Sequence, residues 1–237
     1  MNIVQAQNRV SRIVGHELIT LYRQVRRTSQ LIVLGVMAFA LVVASQTSQA
    51  STTLLVLGDS LSAAYGIPQQ DGWVFLLDQK LSQQTMQQLK NLRVVNASLS
   101  GETTSGGLQR LPGLLSQHQP SYVIIELGAN DALRGQNLAQ TQQNLAQMIE
   151  VSLQQGAKVK LLGIRLPPNY GPAFDRRLAQ MYQQLSEQYT VPLDPFFLAD
   201  VALNPALMLD DGLHPNAAAQ PLILERLWPQ LQAWLTE

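Results

Sequence analysis

"LLVLGDSLSAAYG" (Leu54–Gly66) is an aliphatic run that stops at Gly58 and Asp59 and leaves a serine, Ser60, where it stops. A short, leucine-rich run bounded by turn residues reads as a buried parallel strand breaking into a loop. A serine at that edge is either a nucleophile or the cap of the next helix. Only a base found elsewhere in the chain decides between the two.

Outward from this stretch, strand-like and helix-like segments alternate. Strands are expected at Leu54–Leu57, Arg93–Asn96, Tyr122–Leu127, Val159–Ile164 and Val191–Leu193. Amphipathic helix patterns lie between and after them, at Trp73–Leu89, Gly106–Gln117, Leu138–Gln155, Pro172–Gln188 and Ala217–Leu235. Continuous apolar strands alternating with helices imply a parallel sheet covered on both faces. The expected fold is therefore α/β: a three-layer α/β/α sandwich with a flavodoxin-like, five-stranded parallel sheet. In such sheets ligands bind beyond the carboxyl ends of the strands.

The 237 residues contain no cysteine and carry no formal net charge, but the balance is uneven. Residues 1–50 hold Arg9, Arg12, Arg23, Arg26 and Arg27 against one acid, Glu17, so the remainder is acidic. An acidic body argues against a nucleic-acid partner. Arg26 and Arg27 precede the apolar run "LIVLGVMAFALVVA" (Leu31–Ala44), and "SQTSQA" follows it, ending at Ala50. A basic segment, a short apolar run and a small-x-small end make a signal peptide, expected to be cleaved near Ala50. The run falls short of the ~20 apolar residues of a membrane span, although an uncleaved anchor is the alternative. Export to the periplasm is expected, with residues 51–237 as one domain and a monomer. Without disulfides, its core must suffice.

Every polar cluster of note falls on the same expected edge of the sheet: "GDSLS", "NASLSGETT", "ELGANDALRG" and "LDDGLHPN". A serine hydroxyl is a weak nucleophile until a base takes its proton, and imidazole exchanges protons near neutral pH. Of three histidines, His16 lies in the leader and His118 in an expected polar loop at the opposite edge, which leaves His214. Asp211, three residues earlier with Gly212 between, can return its carboxylate to the imidazole and orient it. Asp210 is the rival acid, expected to point away. Oxyanion donors are expected from the Ser60 and Gly101 backbone N–H groups and the Asn130 amide. Ser62 stands where an α/β-hydrolase elbow has its second glycine, so that motif is excluded.

"GDSL" at Gly58–Leu61, the glycine of "SGET", "GAND" and "DGLHP" resemble the four blocks of the SGNH (GDSL-type) hydrolases, in order, across roughly residues 53–216. "IRLPPNYG" and "DDGLHPN" are further similar to its Gram-negative periplasmic thioesterase and lysophospholipase members. The resemblance implies a Ser60–Asp211–His214 triad, an oxyanion hole of Ser60, Gly101 and Asn130, and action on thioesters, carboxylic esters and lysophospholipids. Ala129 departs from the glycine that relatives often carry there and leaves Asn130 in place.

After the fourth strand, "LPPNYGPAF" (Leu166–Phe174) is apolar, and its adjacent prolines are stiff. Leu166 and Pro167 are expected to bind substrate in the wall of an acyl groove, which favours acyl chains over a carbohydrate-ester deacetylase. A flavin- or phosphate-binding module is the rival from another class, but the first loop lacks a phosphate-cradling glycine run. With only two histidines after the leader, no metal or cofactor is expected.

Overall fold

β1 (Thr53–Gly58) is buried at every position, as a strand covered on both faces must be. The computed structural model describes residues 52–237; the expected leader lies outside the described residues. β1 pairs in parallel with β2 (Arg93–Asn96) on one side and β3 (Tyr122–Glu126) on the other. β4 (Lys158–Leu162) and β5 (Leu193–Asp194) complete the order β2-β1-β3-β4-β5. All pairings are parallel, as the sequence implies.

Seven α-helices stand among the described residues. α1 (Trp73–Ser82), the single turn α2 (Gln87–Lys90) and α7 (Ala219–Thr236) pack against one another. α3 (Thr104–His118), α5 (Leu138–Gln154) and α6 (Pro172–Tyr189) form a second packed row. α4 (Ala129–Leu133) is a short helix directly after β3. Leu54, Leu55, Leu57, Ile124, Leu161 and Leu162 have no accessible surface in the core between these rows. Each such side chain contributes on the order of 1.5–3 kcal/mol on leaving water. Caps set where the helices begin: Thr103 Oγ1 accepts the Gly106 N–H for α3, and Asn137 Oδ1 accepts the Ala139 N–H for α5.

Four details differ from the sequence reading. The single helix expected at Trp73–Leu89 is two, because between buried Leu81 and Leu89 the glutamine-rich turn offers only the exposed Met86 as an apolar residue. β5 starts at Leu193, since Pro192 has no N–H for the ladder, although its carbonyl accepts the Leu161 N–H. His118 ends helix α3 instead of lying in a loop. The polar cluster "GAND" opens a helix, α4, that was absent from the expected elements.

The register places the site. Gly58 pairs with Glu126, so the loops after β1 and β3 leave the sheet side by side. Val56 pairs with Asn96, which brings the loop after β2 to the other flank of the Ser60 turn. Among the described residues, no helix is long and apolar enough to cross a membrane.

Candidate active site

Ser60 lies two residues past β1, in a turn fixed by Asp59, whose Oδ1 accepts the Leu61 N–H at 3.0 Å. Gly58 is needed beneath this turn, because a Cβ there would lie 2.7 Å from Glu126 Oε2 and 2.8 Å from Ser62 Cβ. The loop before α7 brings in His214, whose Nε2 stands 2.8 Å from Ser60 Oγ. Its Nδ1 stands 2.6 Å from Asp211 Oδ2. A proton on Nδ1 suits both contacts, with the serine hydroxyl donating to Nε2.

Asp211 is locked by its own turn: Oδ1 accepts the backbone N–H groups of Leu213 at 2.8 Å and His214 at 3.0 Å. Partial burial works against the carboxylate, but these N–H groups and the imidazole outweigh it and hold its pKa below the ordinary range. Tyr65 lies against the imidazole, ring centroids 4.5 Å apart, a partner that the sequence did not flag.

The expected oxyanion donors gather at the same edge. Gly101 adopts φ +78°, where a side chain would be strained, and its carbonyl accepts from Arg134 Nη2 at 3.1 Å. Among the described residues, no hydrogen bond takes up the Ser60 or Gly101 N–H. Asn130, in the first turn of α4, donates from Nδ2 to Asp59 Oδ2 at 3.0 Å. Asp131 turns away from the edge: its carboxylate accepts the Thr104 N–H at 2.9 Å and hydroxyl at 2.5 Å, tying down the start of α3.

A cleft of about 570 Å³ opens from Ser60, Asn130 and His214 between Leu133, Ile164, Leu166, Pro167, Phe196 and Leu198. Exposed Leu203 and Leu213 also border it. Leu166 and Pro167, from the expected wall segment, both line this cleft. Tyr170 is exposed and Phe174 lines a separate groove between α5 and α6, so the wall is shorter than "LPPNYGPAF" suggested. Arg165 and Asp175 clamp the wall segment through a bidentate ion pair, and Asp175 Oδ1 also accepts the Leu166 N–H at 2.9 Å. Among the described residues, no cluster of three or more His, Cys, Asp or Glu could hold a metal ion.

Residues 56–221 match the GDSL-like lipase/acylhydrolase family. The chain belongs to that family. Its relatives include the esterase TesA of Pseudomonas aeruginosa, 49% identical over 83% of this chain and 95% of that protein. Another is thioesterase 1/protease 1/lysophospholipase L1 of Escherichia coli, 45% identical over 81% of this chain and 89% of that protein. Among solved structures, the psychrotrophic esterase EstA from Pseudoalteromonas sp., inhibited by monoethylphosphonate, superposes with a TM-score of 0.73 at 42% identity, covering 78% of this chain and all of that one.

One feature of this GDSL-family edge escaped the sequence reading. Glu126, the last residue of β3, is fully buried beside Asp59. Its Oε2 accepts from the Ser62 hydroxyl at 2.8 Å and the Asp59 N–H at 3.3 Å. Burial, then the neighbouring Asp59 charge, push its pKa well up. Burial likewise raises Asp59 to about 6, against the pull of the Leu61 N–H, His214 and Asn130. The available signal was an acid closing the otherwise apolar "YVIIE".

Proposed function

We propose that this protein is an exported serine hydrolase that cleaves acyl thioesters, carboxylic esters and lysophospholipids through an acyl-enzyme. Ser60 Oγ attacks the acyl carbonyl while His214 Nε2 takes its proton. Asp211 holds the imidazole by Nδ1 and stabilises the imidazolium that forms. The tetrahedral oxyanion rests on the Ser60 N–H, the Gly101 N–H and the Asn130 amide. Collapse expels the thiol or alcohol, which receives the proton from His214. A water then attacks the acyl-serine with His214 again as base, releasing the carboxylic acid and free Ser60.

The observation that carries this reading is the unbroken contact Ser60–His214–Asp211 at the mouth of an apolar cleft. The cleft suits acyl chains, and the E. coli relative's name joins thioester to lysophospholipid cleavage. Phosphonate inhibition of EstA is in keeping with a nucleophile that forms tetrahedral adducts. Export rests on the leader pattern of residues 1–50, and a mature protein beginning near Ser51 is expected on N-terminal sequencing.

The direct test is Ser60→Ala in the mature protein. Hydrolysis of p-nitrophenyl octanoate and labelling by a fluorophosphonate should vanish together, with the melting temperature unchanged. Undiminished hydrolysis removes the serine mechanism.

A further inference from the structure

Glu126 has no part in the chemistry above, yet it sits directly under the nucleophile turn. Its Oε2 is occupied by Ser62 and the Asp59 N–H. Its Oε1, equally buried, has no hydrogen-bond partner among the described residues. An ionised carboxylate there would keep a charged oxygen dry and unpaired, next to a second carboxylate. A proton on the Glu126 carboxyl removes that charge, and the two carboxyl groups are close enough to share a side-chain hydrogen bond. Asp59 is the better site for the charge, since Oδ1 accepts the Leu61 N–H and Oδ2 the Asn130 amide.

We infer that Glu126 is a positioning residue that works as a neutral acid, holding the Gly58–Ser62 turn from beneath and, through Asp59, aiming the Asn130 amide at the oxyanion. The pair then carries one negative charge, on Asp59. Other titratable groups around it agree with this. Tyr182 reaches in from α6 and donates to the Leu127 carbonyl at 2.8 Å, and burial and the surrounding acids keep its phenol protonated. Asp131 on α4 is satisfied by Thr104. His214, from the loop before α7, faces Asp59, and its charge favours the ionised Asp59 carboxylate. A second negative charge in this dry floor would oppose the oxyanion forming above it.

The assignment rests on the proposed roles of Ser60 and Asn130, but the location of the proton can be read without turnover. At about pH 8, above ordinary carboxyl pKa values, the infrared spectrum of the mature protein should hold a carboxylic-acid C=O band that Glu126→Gln removes. Glutamine keeps the oxygen acceptor and the neutral charge, so kcat should stay within about threefold. Glu126→Ala releases the turn and should lower kcat about tenfold or more with KM held. If the alanine protein does not fold, the glutamine variant and the band still decide. No acid band in the wild type, or a glutamine variant with tenfold or greater loss of kcat, overturns the inference. Failure of the serine mechanism shows up elsewhere, as turnover surviving Ser60→Ala with the band untouched.

Discussion

Asp211 and Glu126 are both acids at the carboxyl edge of one sheet, and their surroundings drive them in opposite directions. Asp211 is held locally: its partners, Leu213 and His214, lie two and three residues away, and its side chain is 39% exposed. Two N–H groups and an imidazole keep it ionised. Glu126 is fully buried, and its partners Asp59 and Ser62 come from a strand end 67 and 64 residues away. Burial and a neighbouring acid push its pKa well up. In the proposed mechanism one acid holds charge against the imidazolium, and the other withholds it from the oxyanion floor. Environment, not residue type, divides the roles.

The widest break between these regions should come at the exposed end. Asp211→Asn is expected to lower kcat on the order of 10⁴, because the amide favours the wrong tautomer. Asp210→Asn, an exposed neighbour outside the contacts to His214, should cost less than about tenfold. Equal losses in p-nitrophenyl ester turnover would mean that the Asp211–His214 contact is not what orients the base. Asn130 joins the two regions, and Asn130→Ala should lower kcat by about 10²–10³ with little change in KM. A pure KM effect would make it a ground-state contact instead.

The same contrast explains what the sequence made legible. Asp211 and His214 share one turn, so spacing alone suggested the contact seen between their side chains. The parallel sheet was implied by alternation, and register then brought "GDSL" beside "GAND". Glu126 was missed because its significance lies in a pairing with Gly58 across the sheet, which no local pattern records. The cleft was half legible for a similar reason. Leu166 and Pro167 came from one apolar run, whereas Leu133, Phe196 and Leu198 arrive from segments whose apolar residues looked like ordinary core.

The cleft lies between the two regions in size of effect. Each buried methylene is worth ~0.8 kcal/mol, so four added carbons could raise kcat/KM by about 10² if fully covered. The ratio should climb from acetyl to octanoyl esters. Leu166→Ala should flatten the climb by about tenfold while sparing acetyl ester hydrolysis. Acetyl esters as the best substrates would favour the deacetylase reading.

The smallest effect is also the most direct measure of the opposed acids, because it needs no substrate. Glu126 has a raised folded pKa, so its favourable contribution is complete below its ordinary value of 4.5 and is lost as pH rises towards the folded value. The unfolded chain ionises there and the folded chain does not. Glutamine ionises in neither state, so the melting temperature of Glu126→Gln minus that of wild type should increase steadily from about pH 4.5 upward, by about 2–4 °C per kcal/mol for a domain of this size. Asp211 has a lowered folded pKa, so its contribution is present above 3.8 and fades as pH falls. The Asp211→Asn protein should therefore be the less stable at neutral pH and close the gap in acid, weakly, because the side chain is well exposed. Two melting curves against pH, diverging from wild type in opposite senses at neutral pH, are the expected outcome. A flat difference for Glu126→Gln would mean that Glu126 ionises in the folded protein as readily as in the unfolded chain, and the neutral floor would be lost with it.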